Sequence, residues 1–185
     1  MKKAAALLMI CALLMTCVPC ALADFSLASE TGAIRVTDYW ATSQLRDQYG
    51  AYTVANCFDG NLNTTWAEGE SGQGIDAGIT GVWQVNRGRW LLSGIVIWGG
   101  YQKSRDVYYK NSRPCDVQVR AYCDGASQSV MGMLADMREG QVLVFDQAMV
   151  LYDRAEVTVS IDSVYPGNKY TDTCITDIDL LVEPY

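Results

Sequence analysis

Histidine is absent from all 185 residues. The chain therefore lacks the commonest general base, the usual zinc ligand and any Ser–His or Cys–His nucleophile pair. It also lacks sequence repeats and heptads, and outside the N-terminal segment it has no long apolar run. The lack of heptads excludes a coiled coil, and the lack of a further apolar run excludes a membrane-spanning segment beyond the N-terminal one. The lack of histidine makes an enzyme less expected unless carboxylates do the chemistry.

The N-terminal segment is typical of a secretory signal peptide. Two lysines at positions 2 and 3 precede an apolar run over 4–18, and a small-x-small cleavage site at 21–23 precedes Asp24. We therefore expect a signal peptide over 1–23 and one mature domain over 24–185. A lipoprotein signal through Cys17 or Cys20 is a weaker alternative, because neither follows a good small-residue lipobox.

The mature chain is acidic. Without the two N-terminal lysines, 12 basic side chains face 21 acidic ones, a net charge of −9. Such a surface argues against nucleic acid and against anionic membranes as partners. We expect an exported protein without membrane insertion, and both release and attachment to a bacterial cell surface stay open.

Alternation of apolar and polar residues with period two dominates the chain and predicts strands. It is clearest at 34–37, 115–123 and 155–162, and further strand candidates lie at 82–85, 92–98, 142–145 and 175–182. Turn residues at 99–100, 124–125 and 166–168 separate most of them. About eight short strands without a helical stripe predict an all-β sandwich or jelly roll.

The stretch FDGNLNTTWAEGE, at 58–70, has nearly the spacing of a helix–loop–helix calcium loop counted from Asp59. That motif needs flanking helices and a glycine at loop position six. Here position six is Thr64, and the neighbouring segments have the pattern of loop and strand. The stretch therefore belongs to another kind of turn.

Three motifs in order carry a family resemblance. The first is Asp59-Gly60-Asn61-x-x-Thr64-x-Trp66 with the glycines that follow, the second covers 100–114 and the third covers 163–178. Together they resemble the discoidin-like (F5/8 type C, galactose-binding-like) glycan-binding translocation module found in secreted streptococcal NAD glycohydrolase, from about Asp38 to Val182. The resemblance implies a discoidin-like jelly roll. Two family glutamates are replaced by aspartates here, Asp76 and Asp177. We expect no glycohydrolase activity, because the resemblance covers the translocation module alone.

The resemblance also implies one structural Ca²⁺, held by Asp59, Asn61, Thr64 and Asp177. Hard oxygen ligands from a turn suit this ion. The same residues suit an Asx-type turn, in which Asp59 and Thr64 hydrogen-bond within the loop. Both interpretations stay open from sequence alone.

A glycan site is implied where the three motifs would meet. Tyrosine rings stack on the apolar face of a sugar, and amide, guanidinium and ammonium groups bond its hydroxyls. The predicted glycan-binding residues are Trp66, Glu68, Tyr101, Lys103, Tyr109, Asn111, Arg113, Tyr165, Tyr170 and Asp172, and Tyr108 is a further candidate for an exposed ring. The alternative is structural: Trp66 would plug the core, and Arg113 would pair with Asp172 or Glu68.

Four of the seven cysteines remain in the mature chain. Cys115 and Cys123 lie on one predicted strand, about 26 Å apart at strand rise, so they cannot pair and are expected to be buried small hydrophobes. The resemblance places Cys57 beside Cys174, which implies a disulfide between them.

The sequence as a whole favours a secreted, non-catalytic glycan-binding module. A discoidin-like module that docks onto a protein or tethers a complex at the cell surface is the alternative. A hydrolase using Glu68, Glu70 and Asp76 is a third and weaker class, because nothing in the pattern fixes the separation of a carboxylate pair.

Overall fold

The computed structural model describes residues 25–48 and 50–185, so the expected signal peptide lies outside the described residues. Within those ranges the chain forms a short helix α1 (Ala28–Thr31), a 3-10 helix (Val54–Phe58) and a helix α2 (Arg105–Lys110). No helix among them is long and apolar enough to cross a bilayer. The strands are β1 (Ser26–Leu27), β2 (Ile34–Ala41), β3 (Arg46–Asp47), β4 (Gly50–Ala51), β5 (Trp66–Ala67), β6 (Gly78–Val85), β7 (Trp90–Gly99), β8 (Arg113–Pro114), β9 (Asp116–Cys123), β10 (Ala126–Met133), β11 (Gln141–Leu151), β12 (Arg154–Ile161), β13 (Val164–Tyr165) and β14 (Cys174–Pro184).

Two antiparallel five-stranded sheets form a sandwich. Sheet I has the order β1-β14-β7-β11, with β5 also paired to β14, and sheet II has the order β10-β9-β12-β6-β2. Neighbours in space are mostly distant in sequence, as in a jelly roll. Eight of the described strands have eight residues or more: β2, β6, β7, β9, β10, β11, β12 and β14. The predicted all-β sandwich of about eight strands is confirmed.

Every segment predicted as a strand lies in or overlaps one. The prediction missed β10 and the six-residue helix α2. Strand β10 has the sequence ASQSVMGM, whose serines, glutamine and glycine give little β-propensity, so it forms by pairing with β9 along its whole length. The turn between them was predicted: Asp124 and Gly125 both have positive φ, as a two-residue hairpin requires.

The core lies between the sheets and consists of the inward-facing residues of each strand. Strands β9 and β12 contribute alternate side chains that are buried on one face and more exposed on the other. Cys123 belongs to this core as expected, whereas Cys115 just before β9 is only half-buried. Two large indoles, Trp66 and Trp83, are almost fully buried.

The predicted disulfide is wrong in this structure. Cys57 and Cys174 are both buried free thiols. The Cys57 Sγ donates to the Ile175 carbonyl oxygen at 3.2 Å, so it faces the backbone of β14 instead of the neighbouring cysteine side chain. Burial raises the pKa of both thiols, which keeps them protonated.

Replacing Trp66 with alanine should lower the free energy of unfolding by about 3–5 kcal/mol, because a fully buried indole leaves a large cavity. The change also orphans the Ser43 carbonyl oxygen, which accepts from the indole nitrogen at 2.9 Å. Trp40→Ala makes the same chemical change at a side chain that is 45% exposed and is the matched control. Urea denaturation curves of the two variants should differ clearly, and equal losses would contradict the assignment of Trp66 to the core.

Candidate functional site

The three sequence motifs meet where β14 begins. The carbonyl oxygens of residues 172, 173 and 174 accept from Ser112, Glu68 and Gly100 backbone N–H groups at 3.1, 3.1 and 2.8 Å. The segments 66–74, 100–114 and 163–174 are thereby tied side by side at one end of the sandwich. We call these three segments the loop end. The convergence expected from the sequence is therefore present, and the exposure of each side chain decides what it can do there.

Arg113 lies buried inside the loop end, where its guanidinium donates four hydrogen bonds to protein groups. Its Nε and Nη2 donate to the two carboxylate oxygens of Asp136 at 3.1 and 2.6 Å. Its Nη1 donates to the carbonyl oxygens of Asn111 and Pro166 at 3.1 and 2.9 Å. A bidentate pair between a buried guanidinium and a partly exposed carboxylate fixes the geometry of both side chains. Arg113 therefore joins the second and third motifs and is not available to a ligand, contrary to its predicted role.

Asp136 is the residue that the sequence interpretation missed. Arg113 forms its ion pair with Asp136, and not with Asp172 or Glu68 as the structural alternative had proposed. Asp136 lies in a polar loop between β10 and β11, and aspartate is frequent in loops because its side chain can bond the local backbone. No local signal in the sequence marks it as the partner of an arginine 23 positions earlier.

Three tyrosine rings surround the Arg113 guanidinium. The ring centres of Tyr108, Tyr109 and Tyr165 lie 5.4, 5.3 and 5.9 Å from its central carbon. Tyr108 is buried and donates to the Met137 carbonyl oxygen at 2.9 Å, so its prediction as an exposed ring is wrong. Tyr165 is half-buried and donates to a backbone carbonyl of the β10–β11 loop. The three rings together stabilise the Arg113 cation, and only parts of Tyr109 and Tyr165 remain accessible.

Trp66 and Glu68 are both completely buried, so neither can stack on or hydrogen-bond a sugar as predicted. The Glu68 carboxylate accepts from the backbone nitrogens of Glu70 at 2.7 Å and Thr173 at 3.4 Å. Burial raises the pKa of Glu68, and these two hydrogen bonds oppose that rise. Glu68 therefore holds the first loop against the third.

The accessible rim of the loop end consists of the remaining predicted residues. Tyr170 is 44% exposed, and the Lys169 ammonium lies 4.9 Å from its ring centre. Lys103 is exposed, and Tyr101, Tyr109, Asn111 and Asp172 are half-buried.

Two of the half-buried rim residues are held by the protein itself. The Tyr101 hydroxyl donates to the Asn63 carbonyl oxygen at 3.0 Å, which connects the rim to the DG turn. The Asn111 amide nitrogen donates to the Val107 carbonyl oxygen at 2.7 Å and closes the end of α2. These bonds fix Tyr101 and Asn111 in position at the rim.

The DG turn closes on itself. The Asp59 carboxylate accepts from the Asn61 backbone nitrogen and from the Thr64 hydroxyl, both at 2.8 Å. This is an Asx-type turn, the alternative that the sequence left open. Asp177 is buried on β14. Burial raises the pKa of Cys57, and the charges of Asp177 and Asp59 add to that rise, so both carboxylates lie near that thiol.

The oxygen donors of the DG turn suit Ca²⁺ in kind. Asp59, Asn61 and Thr64 lie in one exposed or half-exposed loop, and Asp177 is the nearest predicted ligand on the strand beneath. Among residues 25–48 and 50–185, no group of three carboxylate, cysteine or histidine side chains forms a metal cluster. A bound ion would therefore depend on amide, hydroxyl and carbonyl oxygens for most of its ligands.

Asp136→Ala should lower the free energy of unfolding by about 1.5–3 kcal/mol, since it leaves the buried Arg113 without its charged acceptor. Arg154→Ala removes an exposed ion pair with Glu156 and should cost less than about 1 kcal/mol. Chemical denaturation of both variants checks the difference. A loss for Asp136→Ala no larger than that for Arg154→Ala would contradict the anchoring role of Arg113.

The raised pKa of Glu68 predicts the sign of a pH effect. The folded protein holds this proton more tightly than the unfolded chain, whose carboxyl titrates near 4.5, so stability falls as the pH rises through the window above that value. Glu68→Gln should flatten this fall, although the amide loses one acceptor and lowers stability overall. Burial also raises the pKa of Asp179, so part of the fall of stability with pH remains in both proteins. Melting temperatures from pH 4 to 8 should show a flatter profile for Glu68→Gln than for the matched control Glu139→Gln, which changes an exposed glutamate in the β10–β11 loop.

Several solved structures share the fold at low sequence identity. The family 32 carbohydrate-binding module of C. perfringens NanJ in complex with galactose matches with a TM-score of 0.58 and 14% identity, over 85% of this chain and 98% of that one. A second Clostridium perfringens module, in complex with GalNAc-β-1,3-galactose, matches with a TM-score of 0.55 and 14% identity, over 84% and 99%. The C-terminal domain of a chitobiase from Bacteroides fragilis matches with a TM-score of 0.56 and 15% identity, over 86% and 99%. At these identities the likeness establishes the discoidin-like fold.

A comparison with curated proteins finds no match. The family comparison does: residues 30–181 match the NAD glycohydrolase translocation F5/8 type C domain. The resemblance carried by the three motifs is thereby confirmed across nearly the whole described chain. This protein belongs to the NAD glycohydrolase translocation F5/8 type C domain family.

Proposed function

We propose that this protein is an exported, non-catalytic glycan-binding module whose ligand contacts the rim of the loop end. The observation that carries the proposal is the convergence of three loops, on which Tyr170 and Lys103 are exposed and Asp172, Tyr101 and Tyr109 are partly accessible. Aromatic rings next to hydrogen-bonding groups are the usual means of holding a sugar ring. The shared fold with galactose-bound modules supports the same function.

In this proposal the rim residues have separate tasks. Tyr170 offers a ring face for stacking, and Lys103 donates hydrogen bonds to hydroxyl groups. Asp172 accepts hydrogen bonds, and so does the Asn111 side-chain oxygen, since the amide nitrogen is already bonded to Val107. Trp66, Glu68 and Arg113 support this rim from below and make no contact with the ligand.

Calcium has a structural role in the proposal. An ion held by Asp59, Asn61 and Thr64, with Asp177 beneath, would fix the DG turn to which the Tyr101 hydroxyl is bonded through Asn63. Removal of the ion would then weaken glycan binding indirectly, by loosening one side of the rim. The Asx-type turn keeps the loop closed without an ion, so the fold itself should survive chelation.

Protein docking or surface tethering is a second candidate function, and one observation favours it. Met131 and Met133 on β10 are each 72% exposed, and Val144 on the neighbouring β11 is exposed beside them. Exposed methionines form adaptable apolar contacts with protein partners. The family's association with translocation also suits a docking function.

A glycan-array screen of residues 24–185, with calcium and again with EDTA, tests the proposal. We expect selective binding that falls about tenfold or more in Tyr170→Ala, because one stacking ring is lost. Tyr152→Ala is the matched control, since this exposed tyrosine lies at the opposite end of the sandwich, beside Arg89. A weaker signal in EDTA from a protein with unchanged circular dichroism would support the structural role of calcium.

Two results would contradict the glycan-binding proposal. One is a blank array in both conditions from a sample with a cooperative thermal transition, which would favour protein docking. The other is equal loss of binding in Tyr170→Ala and Tyr152→Ala, which would mean that the loop end is not the site.

A further inference from the structure

The outer face of sheet II, the side turned away from the core, carries a second set of polar and aromatic side chains. A groove of about 530 Å³ lies on it, lined chiefly by Arg120, Tyr122, Ser127, Ser129, Glu156 and Thr158. Strand register places these residues in two adjacent cross-strand rows. One row runs Ser129, Arg120, Thr158, Thr80 and Trp40, and the other runs Ser127, Tyr122, Glu156, Val82 and Asp38.

The polar groups of this groove are largely unused by the protein. Within the part of the chain that the structure describes, no hydrogen bond or ion pair joins the Arg120 guanidinium or the Tyr122 hydroxyl to another residue. Arg113 at the loop end, by contrast, donates four hydrogen bonds to protein acceptors. The Tyr122 ring is 58% exposed, so both its face and its hydroxyl can be contacted from solvent.

The charges of the groove balance. Arg120 is offset by Asp146, which also lines the groove, and Glu156 is already paired with Arg154 at 2.8 Å. A groove without excess positive charge has no electrostatic attraction for nucleic acid or an anionic membrane, and Asp38 at the end of the Tyr122 row adds a further negative charge. Its hydroxyl, guanidinium and carboxylate lining is also a poor match for an apolar helix. An exposed aromatic ring among such groups suits a neutral polyhydroxylated ligand.

The separation of the two exposed aromatic side chains on this face, Tyr122 and Trp40, sets the minimum length of a ligand that touches both. Trp40 is 45% exposed and lies at the end of the Arg120 row on β2, three strands away from β9. Three strand spacings correspond to about 14 Å. That distance exceeds a single sugar ring, so a ligand that touches both Tyr122 and Trp40 must be a chain of several rings.

We propose that the outer face of sheet II binds the extended chain of a neutral oligosaccharide, at a site separate from the loop end. Tyr122 and Trp40 stack on sugar rings at the two ends of the site, and Arg120 and the serine hydroxyls bond the rings between them. The choice of carbohydrate as the ligand class rests on the proposed function, while the position and length of the site rest on the sheet geometry.

The test compares three double variants on an array of neutral linear glycans from one to six residues long. Arg120→Ala with Tyr122→Ala removes the face site, and Lys103→Ala with Tyr170→Ala removes the loop-end site. Arg89→Ala with Tyr152→Ala is the matched control, because this exposed Arg–Tyr pair lies at the far end of the sandwich. Melting temperatures of all three verify that each is folded.

The face variant should lose about tenfold or more in affinity for glycans of four or more residues and keep the binding of mono- and disaccharides. The loop-end variant should lose the short ligands. A face variant that binds long glycans as the control does would overturn the face site and leave the loop-end proposal standing. Binding of long glycans alone, lost only in the face variant, would support the face site and overturn the loop-end one, and a blank array for the folded wild-type protein would overturn both.

Discussion

The backbone at the start of β14 is the constraint on which the loop end depends. Residues 172–174 belong to the third loop and accept hydrogen bonds from the other two, and the next residue, Ile175, is fully buried in the core. A strand that is fixed on one side by core packing and on the other by loop backbones cannot shift without breaking both. The three sequence motifs therefore share one anchor, although up to a hundred residues separate them along the chain.

This anchor explains why several of the most distinctive polar residues are buried. Glu68 and Arg113 each bond backbone groups of a neighbouring loop, and Arg113 adds the bidentate pair with Asp136. A buried charged group is tolerated only when its hydrogen-bonding capacity is filled. Buried groups that bond the protein are inaccessible to a ligand, so the proposed ligand contacts at this end fall to the less conspicuous rim residues, such as Tyr170.

The sequence predicted the architecture better than the site, for a physical reason. Period-two alternation reports which face of a strand meets the core, so the long strands and the sandwich could be predicted. The exposure of loop residues depends on contacts between segments far apart, and the link from Arg113 to Asp136 leaves no local pattern. The motifs identified the family, but they contain anchors such as Trp66 as well as accessible residues. The rows of side chains on the outer face of sheet II depend on strand register, and the register is known only from the folded structure.

The two proposed surfaces differ in what holds them. On the outer face of sheet II the ladder satisfies the backbone, so side chains such as Arg120 and Tyr122 have no structural duty and can serve a ligand. At the loop end the side chains themselves hold the loops, and only the rim remains free. A site on strands is also more rigid than one on loops, so the protein loses less conformational entropy when a long ligand binds there. Under the two proposals, selection by chain length would belong to the sheet face, and discrimination between individual sugars would belong to the loop end.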